Sequence, residues 1–287
     1  MKTALVFGAS GQIGLPLLDR LRHDGWRMYA VSRSAHAEQP GLVWLRRDLA
    51  HVDALPAQVH AIFSCGPLDL FAQWYAHANV AAPRIVAFGS TSIDVKRGSA
   101  DAEERALAAR LHEGERLLFE TASTRRAAAT ILRPTLIYGM GRDRNLNRIA
   151  QVARRFGRVV IPRDAVGLRQ PVHVHDLADA AFRCIEAETS FGRAYALPGG
   201  ETLTYREMVA RVLAALTPPP KLHEVPSPVF NFVLAVAHAA GFGLDFNEAA
   251  VVRMRSDLVF DPSDAQRDFG YAPRGFTPTA AMFSQPA

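Results

Sequence analysis

The sequence predicts an α/β fold in which helices cover both faces of a doubly wound parallel sheet. The first observation behind this prediction is alternation. Short apolar runs typical of buried strands alternate with amphipathic stretches typical of helices through the first half of the chain. The predicted strands cover residues 4–7, 28–31, 61–65, 84–88 and 129–132, and the predicted helices cover residues 15–23, 70–79 and 101–121.

The second observation is the beginning of the chain, where an apolar run over residues 4–7 leads directly into Gly8, Gly11 and Gly14. A strand, a glycine-rich turn and a helix in this order place a pyrophosphate on the amides of the helix. Gly8 would allow the tight turn, Gly11 the approach of the phosphates, and Gly14 the close packing of helix and strand. We therefore predict a Rossmann-type sheet with a dinucleotide site. The turn residues expected to contact the dinucleotide are Gly8, Ser10, Gly11, Gln12, Ile13 and Gly14.

After about residue 138 the alternation gives way to short strands, at 159–161 and 194–197, mixed with helices. This pattern predicts a small C-terminal α/β lobe that binds the substrate. We expect the dinucleotide-binding domain to cover residues 1–165 and the lobe to occupy mainly residues 166–287. The helix predicted at 174–188 is expected to return to the sheet.

The composition limits the classes of function. The chain has 287 residues, 49% of them hydrophobic, which is enough for one large domain or for a domain with a smaller lobe. Its net charge of +5 comes from scattered arginines and not from a basic stripe with aromatic residues, so a nucleic-acid partner is not expected. Cys65 and Cys184 are too few for a disulfide framework, and no apolar run is long enough to span a bilayer. We expect a cytoplasmic protein with free thiols and neither a signal peptide nor a membrane span.

The end of the second predicted strand indicates which nucleotide binds. An NAD site usually has an acidic residue there that bonds the ribose hydroxyl, but residues 29–34 include none. Arg33 instead offers a planar cation to a 2′-phosphate, with Ser34 beside it. We therefore expect NADP to be preferred to NAD. Asp48, which Leu49 follows, comes after the third strand-like run and either meets the adenine amino group or caps a helix.

Five motifs occur along the chain in the order found in one large enzyme family. They cover residues 8–14, 48–49, 88–91, 132–139 and 169–176, and residues 203–205 and 258–262 agree with them. On these motifs the chain resembles the extended short-chain dehydrogenase/reductase family over nearly its whole length. Within that family it is most similar to the NAD(P)-dependent sugar-nucleotide epimerases and dehydratases.

The resemblance implies a seven-stranded parallel sheet, a bound NADP or NAD, and a small-molecule substrate such as a nucleotide sugar. Thr91 matches the catalytic Ser/Thr at the end of a strand, and Pro134 lies in the segment that runs along the nicotinamide. Tyr138 closes that segment at the entrance to the substrate lobe, where Leu136 replaces an asparagine that is common in the family. Arg169 matches the arginine that grips the substrate diphosphate, the alternative being a surface arginine in a salt bridge.

The catalytic Tyr-x-x-x-Lys pair of the family is missing. Residues four apart on a helix share a face, so the ammonium lowers the pKa of the phenol and the tyrosinate takes a proton. The aligned positions hold Leu107 and Leu111, and none of the chain's lysines follows a tyrosine by four residues. The residues that could replace the pair are Lys96, five residues after Thr91, and Tyr138, His173 or His175.

The two histidines flank Val174 at strand spacing, so we expect the side chains of His173 and His175 to point to opposite faces of a strand. With Asp176 they still lack a further ligand, so we expect no metal site.

These residues leave two functions open. The chain is either an atypical NADP-dependent oxidoreductase or epimerase that moves protons with another residue or with water, or an NADP(H)-binding sensor or assembly protein without turnover. Thr91 and Arg169 favour the enzyme, whereas Leu107 and Leu111 favour the sensor. The resemblance also implies a homodimer through the helix at 101–121.

Overall fold

The computed structural model describes residues 1–37, 39–47, 55–143, 145–239 and 248–283. The strands are β1 (Thr3–Phe7), β2 (Arg27–Ser32), β3 (Leu42–Arg46), β4 (Ala61–Ser64), β5 (Arg84–Phe88), β6 (Ala128–Pro134), β7 (Ile137–Tyr138), β8 (Arg158–Pro162), β9 (Leu168–Arg169), β10 (Val172–His173), β11 (Arg193–Leu197), β12 (Leu203–Thr204) and β13 (Lys221–Val225). The helices are α1 (Gly14–His23), α2 (Leu68–His77), α3 (Ser92–Val95), α4 (Ala102–Thr124), α5 (Leu146–Phe156), α6 (Val174–Arg183), α7 (Tyr205–Ala214), α8 (Ser227–Ala239), α9 (Glu248–Arg253) and α10 (Ser263–Phe269).

A parallel sheet of seven strands forms the centre of the molecule, in the order β11-β6-β5-β4-β1-β2-β3. β1 lies between β4 and β2, so the strand order reverses at this point. In open parallel sheets, ligands bind outside the carboxyl ends of the strands at such a reversal. The doubly wound parallel sheet predicted from the sequence is confirmed.

Side chains of β1 alternate between the two faces of the sheet, as the geometry of a strand requires. Ala4 and Val6 belong to the core on the face covered by α1 and α6, where Leu17 is fully buried. Leu5 and Phe7 belong to the core on the opposite face, under α2 and α4. Burial on both faces explains why the sequence of β1 is a continuous apolar run and not an alternating one.

Two segments of the C-terminal half lie against the sheet. α6 packs on α1, and β11 pairs in parallel with β6 as an edge strand. The sequence predicts the strand at 194–197 as part of the lobe, whereas the structure places it in the main sheet. The reason is that pairing with β6 buries Tyr195 and Leu197 in the core of the first domain.

The remaining C-terminal elements form a lobe with its own core. α5 packs on α7 and on β8, which pairs in parallel with β13, and residues such as Ile149 and Val212 are buried in this core. Tyr138, at the end of β7, belongs to this second core. In the ranges described above, no helix is long and apolar enough to cross a membrane.

Candidate dinucleotide and substrate site

The turn after β1 has a geometry that two of its glycines make possible. Gly8 has a φ of +65°, and a Cβ atom there would lie 2.7 Å from the carbonyl carbon of Cys65. A Cβ atom on Gly14 would lie 2.3 Å from the carbonyl oxygen of Gly8. The backbone N–H of Gly11 donates to that same oxygen at 2.9 Å and closes the turn. Side chains at positions 8 and 14 would therefore push this turn away from α1 and from the end of β4.

The turn and α1 fit a pyrophosphate. Among the described residues no side chain caps the N-terminus of α1, and its first turn contains no acidic residue, so in this part of the structure no side-chain cap and no first-turn carboxylate satisfies the positive end of the helix. Ile13 is the residue before the helix and is 6% exposed. The side-chain oxygen of Gln12 is buried without a hydrogen-bond partner in the described part of the protein. The hydroxyl of Ser64, which lies beside Phe7 in the sheet, is also buried without a hydrogen-bond partner among the described residues.

The end of β2 lies next to the glycine turn. The hydroxyl of Ser10 in the turn is 3.0 Å from that of Ser32, the last residue of β2. Arg33 and Ser34 follow and are exposed to solvent at this edge of the sheet. The structure thus brings the predicted 2′-phosphate residues beside the turn. Asp48 and Leu49, predicted near the adenine, lie outside the described residues.

Thr91 and Pro134 meet at the ends of β5 and β6. The hydroxyl of Thr91 donates to the carbonyl oxygen of Pro134 at 3.1 Å, and its backbone N–H donates to the same oxygen at 3.3 Å. Thr91 is only 6% exposed. Both residues lie at the carboxyl edge of the sheet, where the glycine turn also lies.

An ion pair that sequence reasoning missed lies beneath this point. The Arg133 guanidinium, on β6, donates to both carboxylate oxygens of Glu115 on α4, one of them at 2.8 Å. Hydrogen bonding to this carboxylate raises the pKa of Arg133 above its ordinary value, against the opposing effect of burial. Glu115 follows Leu107 and Leu111 at intervals of four, so the three residues share one face of α4. That spacing is the signal that could have pointed to it.

The two leucines that the resemblance aligns with the catalytic pair are half-buried. Leu107 and Leu111 lie on α4, and Leu111 packs against the core between α4 and the sheet. Neither side chain has a proton to give or a charge. At positions 107 and 111 the face of α4 that Glu115 shares is therefore apolar.

Lys96 is held by a carboxylate. Its ammonium lies 3.2 Å from Glu104, whose side chain is 8% exposed and also accepts a hydrogen bond from Arg253 at 2.6–2.7 Å. Glu104 on α4 thus binds the segment after Thr91 through Lys96 and the C-terminal lobe through Arg253.

Tyr138, expected near the substrate, is fully buried. Its hydroxyl lies 3.4 Å from the carbonyl oxygen of Gly275, to which it donates, and its ring packs edge-on against His173 and Phe276. Burial raises the pKa of this phenol above its ordinary value of 10.0. The hydroxyl is therefore buried and has a protein partner.

The prediction that the side chains of His173 and His175 point to opposite faces of a strand is wrong. β10 ends at His173 and α6 begins at Val174, so strand spacing does not apply across them. The two imidazole rings stack with centroids 5.2 Å apart, and His173 accepts a hydrogen bond from the backbone N–H of His175. Burial lowers the pKa of His173 to about 4, so it is neutral near pH 7. Among the described residues, no group of three or more His, Cys, Asp or Glu side chains could hold a metal ion.

Arg169 is not the salt-bridged surface arginine that the sequence allows as an alternative. It is 5% exposed, and its guanidinium donates to the carbonyl oxygens of Leu168 at 2.6 Å, of Ser256 at 2.9 Å and of Arg253. Burial lowers the pKa of this guanidinium. Three of its five N–H donors thus bind the protein's own backbone, and a substrate diphosphate is left with at most the other two.

No protein-family model matches the chain. Two curated proteins are distant relatives. The UDP-glucose 4-epimerase of Vibrio cholerae is 25% identical over 181 residues, which cover 60% of this chain and 52% of that protein. The 2-alkyl-3-oxoalkanoate reductase of Stenotrophomonas maltophilia strain K279a is 29% identical over 157 residues, which cover 51% and 47%. The chain therefore spans about half the length of the curated relatives it matches.

Solved structures show the same fold over nearly the whole chain. Epimerase Mth375 from Methanothermobacter thermautotrophicus superposes with a TM-score of 0.72 at 14% identity, covering 98% of this chain and 89% of that one. MoeE5 in complex with UDP-glucuronic acid and NAD gives 0.70 at 19% identity, covering 96% and 94%. The terminal R domain from the myxalamid PKS-NRPS pathway gives 0.71 at 18% identity, covering 98% and 88%. Fold and distant relatives together confirm the resemblance to the extended short-chain dehydrogenase/reductase family that the order of the motifs predicts.

Proposed function

We propose that the chain binds a nicotinamide dinucleotide at the turn between β1 and α1. The observation that carries the proposal is the turn itself, which is closed by Gly11 and leaves no room for a Cβ atom at Gly8 or Gly14. The uncapped N-terminus of α1 and the unpartnered oxygen of Gln12 supply groups that a pyrophosphate and its ribose would satisfy. Among the solved neighbours, MoeE5 is a complex with NAD.

NADP(H) is the nucleotide that we expect to bind more tightly. Arg33 is exposed beside the turn, and no carboxylate follows β2 before residue 38 to accept a hydrogen bond from a ribose hydroxyl. A guanidinium binds a phosphate through paired charge-assisted hydrogen bonds, which a ribose hydroxyl cannot replace.

The activity that this site supports best is oxidoreduction or epimerisation of a nucleotide sugar or a related small molecule. The bound nicotinamide would supply the hydride donor or acceptor. Thr91, a predicted catalytic residue, lies at the carboxyl edge of the sheet, and its hydroxyl hydrogen is directed to Pro134. Because positions 107 and 111 are leucine, a proton would have to come from water or from Thr91 after its bond to Pro134 is exchanged.

A second function, dinucleotide binding without turnover, is favoured by one set of observations. Lys96 and Tyr138, two of the side chains that could replace the missing tyrosine or lysine, are already bonded within the protein, and Nδ1 of His173 accepts the backbone N–H of His175. A protein of this kind would report the redox state of NADP(H) to a partner. Its exposed α4 face carries Arg116 bonded to Glu113 and Glu120, so a homodimer through this helix would have a polar interface.

Hydride exchange separates the two functions. The protein would be incubated with NADPH or NADP⁺ and a panel that includes UDP-glucose, UDP-glucuronic acid and a 2-alkyl-3-oxoalkanoate, while the reduced nicotinamide is followed by its absorbance. Epimerase turnover, which leaves no net redox change, would be followed by separating the sugar products. Turnover of a panel member supports the enzyme. Tight binding of NADPH with no turnover, together with a change in protease sensitivity between NADPH and NADP⁺, supports the sensor.

A further inference from the structure

A chain of hydrogen-bonding side chains joins the glycine turn to the loop after β2. The hydroxyl of Ser10 is 3.0 Å from that of Ser32, which is 3.0 Å from Nε2 of His36. The backbone N–H of Ser34 also donates to the Ser32 hydroxyl, at 3.2 Å. The imidazole of His36 stacks on the indole of Trp44 with centroids 3.9 Å apart and an angle of 24°. His36 is thus fixed on an aromatic surface with Nε2 directed to Ser32.

Because a hydroxyl group makes a limited number of hydrogen bonds, the hydrogen bonds between His36, Ser32 and Ser10 can run in only two directions. A hydroxyl donates one hydrogen bond and accepts two, and the N–H of Ser34 takes one acceptor site of Ser32. When Nε2 of His36 carries a hydrogen and donates to Ser32, Ser32 donates to Ser10, and the hydrogen of Ser10 is free for a ligand. When Nε2 accepts from Ser32, Ser10 must donate to Ser32 and offers a ligand only its lone pairs.

These hydrogen bonds lie next to the position at which NADP and NAD differ, the 2′-substituent of the ribose. Ser32 is the last residue of β2, and in a dinucleotide-binding sheet the ribose with the 2′-substituent lies at that point. A 2′-phosphate needs hydrogen-bond donors, whereas a 2′-hydroxyl can donate to an acceptor. Arg33 follows Ser32 directly, and the guanidinium of Arg142, from the loop after β7, donates to the backbone oxygen of Ser10. The protonation of Nε2 of His36 therefore determines whether the hydroxyl of Ser10, in the turn, offers a ligand its hydrogen or only its lone pairs.

We infer that His36 is a positioning residue that sets the nucleotide preference. By donating through Ser32 it makes the Ser10 hydroxyl a donor toward the 2′-phosphate of NADP, and Arg33 supplies the charge. This inference rests on the dinucleotide site proposed above. It assigns to His36 an effect on the choice between NADP(H) and NAD(H) and not on the affinity for the part that both share.

The test is calorimetric titration with NADPH and NADH of the full chain and four variants. His36→Phe keeps a ring on Trp44 and removes Nε2. Ser10→Ala removes the last hydroxyl in the series of hydrogen bonds. We expect each to weaken NADPH binding about ten-fold, the effect of one hydrogen bond to a charged group, and NADH binding less than about two-fold. The double variant should lose no more NADPH affinity than either single variant, because both changes break the same series of hydrogen bonds. His36→Gln, whose amide can donate to Ser32, should keep most of the preference.

Three results would overturn the inference. One is an equal loss of NADPH and NADH affinity in His36→Phe, which would make the residue merely structural. Another is an additive loss in the double variant, which would mean that His36 and Ser10 act separately. The third is a wild-type protein, folded by its melting curve, that binds neither nucleotide; this result alone would also overturn the dinucleotide site, so the two failures are distinguishable.

Discussion

The ammonium of Lys96 lies 3.2 Å from the carboxylate of Glu104, in a cluster that Arg253 joins from the C-terminal lobe. Ser99 donates to the same carboxylate at 2.8 Å. Glu104 on α4 is therefore tied to the segment after Thr91 by Lys96 and to α9 by Arg253, and both cations share its carboxylate. A cation that is paired in this way is poorly placed to lower the pKa of another group.

This cluster predicts a dependence of stability on pH. Burial by itself would raise the pKa of Glu104, but hydrogen bonds from Ser99 and Lys96 and the charge of Arg253 bring it below its ordinary value of 4.5. The carboxylate thus stabilises the fold above about pH 4.5 and loses that contribution as the pH falls through the lower folded value. Glu104→Gln should lower the free energy of unfolding at pH 7 by roughly 2–4 kcal/mol.

Urea unfolding between pH 3 and pH 7 checks this prediction. The difference between wild type and Glu104→Gln should shrink as the pH falls below about 4.5. Glu113→Gln is the matched control, because Glu113 pairs with Arg116 on the exposed face of the same helix and should change little. A difference that is constant over the whole pH range would contradict the account.

Arg33 is predicted to select for the 2′-phosphate. Arg33→Ala should weaken NADPH binding about 10- to 100-fold and leave NADH binding nearly unchanged, because only NADPH presents a phosphate to the guanidinium. Arg27→Ala is a control at the opposite end of β2, where the side chain is also exposed. Fluorescence titration with both nucleotides gives the two affinities, and a parallel loss of both would exclude the phosphate contact.

Arg169 is predicted to stabilise the lobe. Arg169→Met would leave the carbonyl oxygens of Leu168, Arg253 and Ser256 without this donor, at a cost of roughly 2–4 kcal/mol of unfolding free energy. Arg110→Met, with a side chain 58% exposed, should cost far less. Urea unfolding and UDP-glucose binding are to be measured together. A variant with wild-type stability that no longer binds the nucleotide sugar would restore the diphosphate role expected from the sequence.

The leucines of α4 are predicted to be the reason for low activity by the family's usual chemistry. The double variant Leu107→Tyr, Leu111→Lys places a phenol and an ammonium one turn apart on the face that Glu115 shares. If the rest of the site is intact, hydride exchange with a panel substrate should rise by at least about ten-fold, the lower range of general acid–base catalysis. Leu107→Phe, Leu111→Met is the control for repacking. A folded double variant with no gain would mean that more than this pair is missing.

The sequence predicts those parts of the site in which the position of a residue follows from local geometry and from the fold class. Gly8 and Gly14 touch each other and the end of β4, and three glycines between a strand and a helix have few other uses. Thr91 and Pro134 follow buried strands whose apolar runs are plain, so their meeting at one edge follows from the parallel sheet. These relationships depend on local geometry and on the fold class, which the pattern specifies.

The rest depends on contacts between distant residues. The partners of Arg169 include carbonyl oxygens 84 and 87 residues further along the chain, so nothing near it indicates that it is buried. The change from strand to helix between His173 and Val174 alters the direction of His175, and a period of two cannot show it. The chain from His36 to Ser10 spans two loops whose approach only the packed sheet creates.

The dinucleotide site is tested most directly by calorimetric titration of wild type, Gly11→Ala and Gly98→Ala with NADPH and NADH. A Cβ atom on Gly11 would lie 2.9 Å from the oxygen of Gly8, whereas one on Gly98 meets nothing within 4 Å. We expect wild type and Gly98→Ala to bind NADPH equally well and more tightly than NADH, and Gly11→Ala to lose at least about ten-fold in affinity for both. Folded wild-type protein that binds neither nucleotide, or a folded Gly11→Ala variant that binds as wild type does, would contradict the site.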